Sequence, residues 1–370
     1  MAFTMSKVPF MPNIRTFPLS GSEIESRFTE FLTGLRKRRA DTKPAEPTAA
    51  DADDDELFYM RDAFDLSARD HSKIRRRSKR LVANQEARSG LAHLKAEDRK
   101  RLKTVAEGVL LNGPSTVHAV DEMASRLMHE MPWMQPVIKP IWQDARQHIA
   151  RGGLGLWHRP VIVAGPPGIG KSHFARRIAT LSRLPKLTID VGGGSAGFAV
   201  AGVQRGWGSA APGRPVETML SEGIGNPVVV VDEICKAGNC YSGTGASTSI
   251  VTSLLGLLEP VSAQFWECPY FNVSFDMSHI CWIMTANVIS SIPAPLRSRC
   301  RVIELNGLAD EDLLKFVEHQ AAQRNLGQED VDVVARLISA YPPGHPALNL
   351  RVVARHLDDL EAVACAPVRH

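Results

Sequence analysis

No run of eighteen apolar residues occurs in the 370-residue chain, so no membrane-spanning helix is expected. The N-terminal stretch MAFTMSKVPFMPNIRTFPLSG lacks a continuous apolar core and a small-residue cleavage site, so no secretory signal is expected either. No CxxC pair occurs among the six cysteines, which all lie in the second half at irregular spacings. Reduced thiols in a cytoplasmic protein are therefore expected, rather than disulfides or zinc ligands. Cys235 and Cys240 lie closest together and have no second pair beside them, a weak metal signal. There is no internal repeat. A large excess of one charge is also missing, and a net +4 does not demand a nucleic-acid partner.

What is present is an ordinary globular composition, 44% hydrophobic and 23% charged, in a chain too long for one small domain. Charge is clustered: 36–39 reads RKRR, 51–56 reads DADDDE and 73–80 reads KIRRRSKR. The basic runs are open to two readings, solvated helix faces or a patch that docks a partner or nucleic acid. Residues 1–55 mix proline, charge and small residues, and Asp41–Asp55 has too little apolar surface to order itself. The segment is expected to be a disordered tail. Residues 56–131 have helical spacing, as in LAHLKAEDRKRLKTVAEGVLL. From 132 to 306 short branched apolar runs alternate with helical stretches: VIVA, KLTIDV, VVVVD, CWIMTAN and RVIEL. Such runs predict an α/β domain whose parallel sheet is covered on both faces. Residues 307–370 read as a small all-helical domain.

Gly165-Pro166-Pro167-Gly168-Ile169-Gly170-Lys171-Ser172 fits GxxxxGK[ST], directly after VIVA and before the helical stretch HFARRIATLS. In that strand–loop–helix setting the glycines let backbone N–H groups turn inward around phosphate, at a helix N-terminus that favours anions. Lys171 is expected on the β/γ-phosphates of ATP and the Ser172 hydroxyl on Mg2+, with His173 beside them. Sixty residues on, the apolar strand 228–231 ends in Asp232-Glu233. Adjacent carboxylates there are costly without a cation. Asp232 is expected in the Mg2+ shell and Glu233 at the attacking water. A third apolar strand ends in Thr285-Ala286-Asn287, and Asn287 is a candidate positioner of water or γ-phosphate, or a plain turn residue. Arg297 and Arg299 follow a proline-rich turn, where they are expected to be exposed to an adjacent subunit.

Taken together, GPPGIGKS, VGGG, GWGSAAPGR, NPVVVVDEICK, LLGLLEP and TANVISSIPAPLRSR resemble the AAA+ module of the Lon family. LNLRVVARHL resembles its helical lid. The resemblance runs from near Pro132 to Ala364. It implies an ATP-hydrolysing, Mg2+-dependent ring, a hexamer of identical subunits, acting on protein substrates. It also implies roles. Asn287 falls at the sensor-1 asparagine, Arg299 at the arginine finger that completes a neighbour's site, and Arg351 at the sensor-2 arginine. Trp207 falls at the aromatic pore-loop residue that grips polypeptide, and Phe265 or Trp266 lies in the region of the second pore loop.

Departures from that pattern are Cys235 in place of an acidic residue, Val203-Gln204 at normally basic and polar positions, and GSAGFA at 194–199. An insertion near 241–249 is expected to be flexible. The chain ends nineteen residues after Arg351, whereas a Ser–Lys protease domain would need about 200 more, so no intrinsic protease is expected. The leading expectation is a ring ATPase that remodels or threads protein. Its rivals are a nucleic-acid-linked motor or loader, supported by 73–80 and the Ser298-Arg299-Cys300 triplet, and an ATP-gated adaptor for a separate protease.

Overall fold

The computed structural model describes residues 6–14, 17–41, 66–193, 195–206, 210–237, 239–241, 247–342, 345 and 347–364. They fall into a helical unit, Asn13–Lys103, and a sheet unit, Met1–Pro12 with Thr104–His370.

In the helical unit, Ser20 and Glu23 form a reciprocal cap. Glu23 N–H donates to Ser20 Oγ at 3.2 Å and Ser20 N–H donates to the Glu23 carboxylate at 2.7 Å. Helix α1 (Gly21–Asp41) starts there and buries Ile24. Ser67 and Asp70 repeat the device at the start of α2 (Ala68–Arg88), and α3 (Ala96–Lys103) follows. Asp70 also receives Arg36 at 2.5 Å, and Glu23 receives Lys103 at 3.0 Å. Asp70 is held near a pKa of about 2, first by the Ser67 hydroxyl and then by Arg36. Glu23 is also held near about 2, first by the Ser20 backbone N–H and then by Lys103. The basic run 73–80 sits on α2, where only Ile74 and Ser78 are buried. The disordered tail expected over 1–55 is thus corrected in part. It contains α1 and a strand, because a serine–glutamate cap and a few apolar anchors suffice where composition alone argues for disorder. The acidic run 51–56 lies outside the described residues.

The sheet unit opens with β1 (Ser6–Val8), antiparallel to β2 (Val109–Leu111), and buries Phe10 stacked on Phe275 with ring centroids 4.6 Å apart. Helices α4 (Val117–Glu130) and α5 (Gln135–Ala150) precede β3 (Val161–Ala164), α6 (Lys171–Ser182) and β4 (Lys186–Asp190). Then come α7 (Ala196–Ala201), α8 (Arg214–Glu222), β5 (Val228–Asp232) and a two-stranded ladder of β6 (Asn239–Tyr241) with β7 (Ser247–Ser249). That ladder flanks the insertion expected to be flexible, whose centre, 242–246, lies outside the described residues. The unit continues through α9 (Ile250–Leu258), α10 (Pro260–Ala263), the hairpin of β8 (Trp266–Cys268) and β9 (Val273–Phe275), β10 (Cys281–Ala286), α11 (Ala294–Arg299) and β11 (Arg301–Glu304). Helices α12 (Asp310–Arg324), α13 (Gln328–Ser339) and α14 (Leu350–Ala364) close it.

Five strands form one wholly parallel sheet in the order β11-β3-β10-β5-β4. The three central strands carry the least interrupted apolar runs because helices cover both faces: Val161–Ala164, Val228–Val231 and Cys281–Ala286 are all buried. Edge strand β4 alternates exposed and buried residues instead. One apolar cluster joins the sheet to α4–α6 and α12–α14, through residues such as Leu127, Ile138, Val163, Phe174, Val317 and Val353. The boundary drawn at 131 is therefore corrected: α4 packs into the sheet unit because its Val120, Met123 and Leu127 face that core. Among the described residues no helix is long and apolar enough to cross a membrane.

Candidate active site

Parallel strands bring their carboxyl ends to one edge, and the loops that leave there form the natural crevice of such a sheet. The loop after β3 turns through Gly168 at φ +81° and Gly170 at φ +94°, left-handed values that a side chain resists. At Gly168 a Cβ would also lie 2.7 Å from the Asn349 side chain. Gly170 caps α6 without a side chain, leaving the helix's first N–H groups turned to the crevice. The buried Lys171 ammonium donates to Gly165 O at 2.6 Å, Pro166 O at 2.8 Å and Asn287 Oδ1 at 3.2 Å. Burial pulls its pKa down, and Asp232 opposes that pull.

Across from the loop, β5 and β10 supply a connected polar chain. Ser172 Oγ lies 2.9 and 3.0 Å from the two Asp232 carboxylate oxygens, and Thr285 Oγ1 donates to Asp232 Oδ1. The same Thr285 oxygen accepts the Glu233 N–H at 3.0 Å. Glu233 has φ +57°, rare for a residue with a side chain, and this bond helps to hold it there. Its carboxylate pairs with Lys236 at 2.5 Å, which raises the Lys236 pKa.

These groups line a cleft of about 620 Å3. Pro167, Gly168, Gly170, Lys171, Ser172, His173, Asp232, Glu233, Asn287 and Arg351, all named from sequence, meet there. Leu350 N–H donates to Gly168 O at 3.1 Å, so the start of α14 is pinned to the glycine loop and carries Arg351 with it. Desolvation lowers the His173 pKa first, and Arg176 and Arg177 lower it further. Ile169 is buried beneath the loop, and its carbonyl accepts the Trp133 Nε1–H at 3.0 Å.

Arg299 is not brought to this cleft. It ends α11, exposed, with its guanidinium 3.8 Å from Glu259. Arg297 is exposed on the same helix. Trp207 lies outside the described residues, whereas Phe265 is exposed just before the β8–β9 hairpin.

Sequence reasoning missed three contributors. Thr285 was visible only as a hydroxyl ending an apolar strand. Trp133 stands beside a proline before the loop, and its ring meets Phe316 of α12 edge-on at 6.3 Å. Glu130 holds Arg177 by two contacts of 2.6 Å, which lowers the carboxyl pKa, and no motif marks that pair.

The donor set fits Mg·ATP. The uncapped α6 terminus and Lys171, now spent on loop carbonyls, suit phosphate oxygens. A serine hydroxyl against an aspartate offers hard oxygen ligands to Mg2+.

The family model described as "ATPase family associated with various cellular activities (AAA)" matches residues 161–308. The chain is 34% identical over 175 residues to the mitochondrial Lon protease homolog of Ostreococcus lucimarinus, covering 46% of this chain and 18% of that one. It is 32% identical over 182 residues to the Lon protease of Chlamydia muridarum, covering 49% and 21%. The chain thus spans about a fifth of the length of the curated relatives it matches. Among solved structures, the extended S. cerevisiae Hsp104–casein complex is similar in fold, with a TM-score of 0.51 at 17% identity over 66% of this chain and 47% of that one. A glycine loop on the first central strand, an acidic end on the next and the family match over residues 161–308 agree: this part of the chain is similar to the AAA module of Lon proteases.

Proposed function

We propose that the chain hydrolyses Mg·ATP in this cleft as one subunit of a homo-oligomeric ring, a hexamer, that remodels or threads protein. The observation that carries the reading is the Ser172–Asp232–Thr285–Glu233 chain facing Lys171 at the carboxyl edge of the sheet. Mg2+, held by Ser172 and Asp232, would neutralise charge on the β- and γ-phosphates. Lys171 exchanges its loop carbonyls for phosphate oxygens, and Asn287 keeps its side chain aimed at the same place. Glu233, once free of Lys236, orients the attacking water and draws its proton. Arg351 answers to nucleotide from the α14 side. The position of Arg299 away from its own cleft supports donation to a neighbouring subunit, where a guanidinium stabilises γ-phosphate charge. Trp207 is proposed as the residue that grips the polypeptide. Protein is the proposed client because the relatives similar in sequence are proteases.

Mixing tests the assembly. Lys171→Ala subunits retain Arg299 but cannot hold phosphate, and Arg299→Ala subunits retain the loop. Each alone should be inactive. The mixture should recover a measurable fraction of casein-stimulated turnover, and turnover per subunit in the unaltered protein should rise with concentration. A mixture as inactive as its components, beside a concentration-independent monomeric ATPase, would refute the ring.

A further inference from the structure

The helical unit has one feature that ATP turnover does not use. Six of the eight residues from Lys73 to Arg80 are basic, and the two that are not, Ile74 and Ser78, are the two buried ones. Helical spacing places Arg69, Lys73, Arg76 and Arg80 on one face of α2, opposite Ile74 and Ser78, with Arg75, Arg77 and Lys79 on its flanks. All seven are exposed, and among the described residues none has a carboxylate within ion-pair reach. The two acids of α2 are occupied elsewhere. Asp70 caps Ser67 and takes Arg36, and Glu86 takes Arg99 at 2.7 Å. The Arg36–Asp70 contact also sets the exposed Lys37 and Arg39 of α1 beside the start of the stripe.

Like charges three and four apart repel along a helix. A stripe of seven with no counter-charge among the described residues carries a repulsion that a polyanion removes. The stripe from Arg69 to Arg80 is about 16 Å long at 1.5 Å per residue, the length of roughly five base-pair steps. Five of its seven side chains are arginines, the residue type whose fork best matches phosphate. From Arg69 to Arg80 no apolar residue interrupts the outward face; among the described residues of the unit the most exposed large apolar side chain, Phe31 at 66%, lies on α1, and Leu81 of α2, at 39%, lies off that face. An interfacial membrane helix needs its apolar face free, whereas α2 buries Ile74. We propose that the outward face of α2 docks the phosphodiester backbone of a nucleic-acid duplex, without reading its bases.

The test is fluorescence anisotropy of a labelled mixed-sequence DNA duplex of about 20 base pairs with the full chain, between about 50 and 200 mM salt. Affinity should fall with salt along a log–log slope of about −4, one unit for each phosphate neutralised. Charge reversal at two stripe positions, Arg76→Glu with Arg80→Glu, should weaken binding at least ~10-fold and flatten the slope by about 2. Arg76→Gln with Arg80→Gln should act in the same direction more weakly, with far-UV helix content unchanged in both. Reversal of two exposed lysines off the stripe, Lys95→Glu with Lys100→Glu, should change affinity less than about twofold. No binding at low salt, equal losses from the stripe and the control pair, or binding to phosphatidylglycerol–phosphatidylcholine vesicles without binding to duplex would each overturn the proposal.

Discussion

The sheet unit and the helical unit spend their polar residues in opposite ways. In the sheet unit, charge is drawn inward to one edge. Lys171 is buried, Asp232 is held by two hydroxyls, and Glu233 is kept at a backbone angle that costs energy. In the helical unit, most of the described polar residues remain at the surface, Ser78 and Asp98 excepted, and two serine-based caps and ion pairs such as Arg36–Asp70, Arg99–Glu86 and Lys103–Glu23 do the holding. A large apolar core lets the first unit tolerate a strained, charged site. The second has few buried side chains and depends on how each carboxylate is partnered. The difference teaches where function and fragility lie: substitutions in the polar chain of the sheet unit should cost chemistry, whereas pH should act first on the helical unit.

The largest effect that sharpens this contrast is expected from Thr285→Val. It keeps the shape but leaves the Glu233 N–H without its acceptor and Asp232 with the Ser172 hydroxyl alone. Turnover should fall about 10- to 100-fold, the usual loss when a group supporting a metal ligand is removed. Steady-state kinetics measures that loss, and denaturant melts should show about 1–3 kcal/mol of lost stability. Unchanged kcat would mean that the polar chain does not organise the site.

Acid titration comes next. Glu23 and Asp70 are both held near a pKa of about 2, below the ordinary carboxylate range. A depressed folded-state pKa contributes stability above the unfolded value, and that contribution is lost as pH falls toward the folded one. The caps of α1 and α2 should therefore loosen between about pH 4.5 and 2, seen by NMR of their first-turn amides before the strand amides change. Asp70→Asn should remove most of the response at α2. Simultaneous loss in both units would break the contrast.

The smallest effect is expected from Trp133→Phe, which keeps an aromatic ring, though a smaller one, and loses the 3.0 Å bond to the Ile169 carbonyl. About 1 kcal/mol of loop support should go, read as a several-fold rise in KM for ATP with kcat little changed. A fall in kcat with KM unchanged would place Trp133 in the chemistry instead.

Legibility in the sequence followed the same division. The parallel strands could be read almost to the residue because burial on both faces leaves an uninterrupted apolar run, and the glycine loop because phosphate binding demands a fixed spacing. Thr285 escaped because a hydroxyl at a strand end looks like any turn residue until Asp232 and the Glu233 N–H are placed on either side of it. The Glu130–Arg177 pair joins residues forty-seven apart, and no periodicity encodes such a meeting. Helix α1 was missed for the opposite reason. Composition outweighed a local signal, the Ser20–Glu23 cap, that was there to be read. The edge at 131 was misplaced because helical spacing reveals an apolar face but not which core that face joins.

In the proposed mechanism Glu233 is the group that positions the attacking water beside an intact phosphate cradle. Glu233→Gln, measured for nucleotide affinity by calorimetry and for phosphate release under saturating Mg·ATP, tests that directly. Affinity within a fewfold of the unaltered protein with turnover at least ~100-fold slower is the predicted result, the size expected for losing a general base. Near-normal turnover would contradict it.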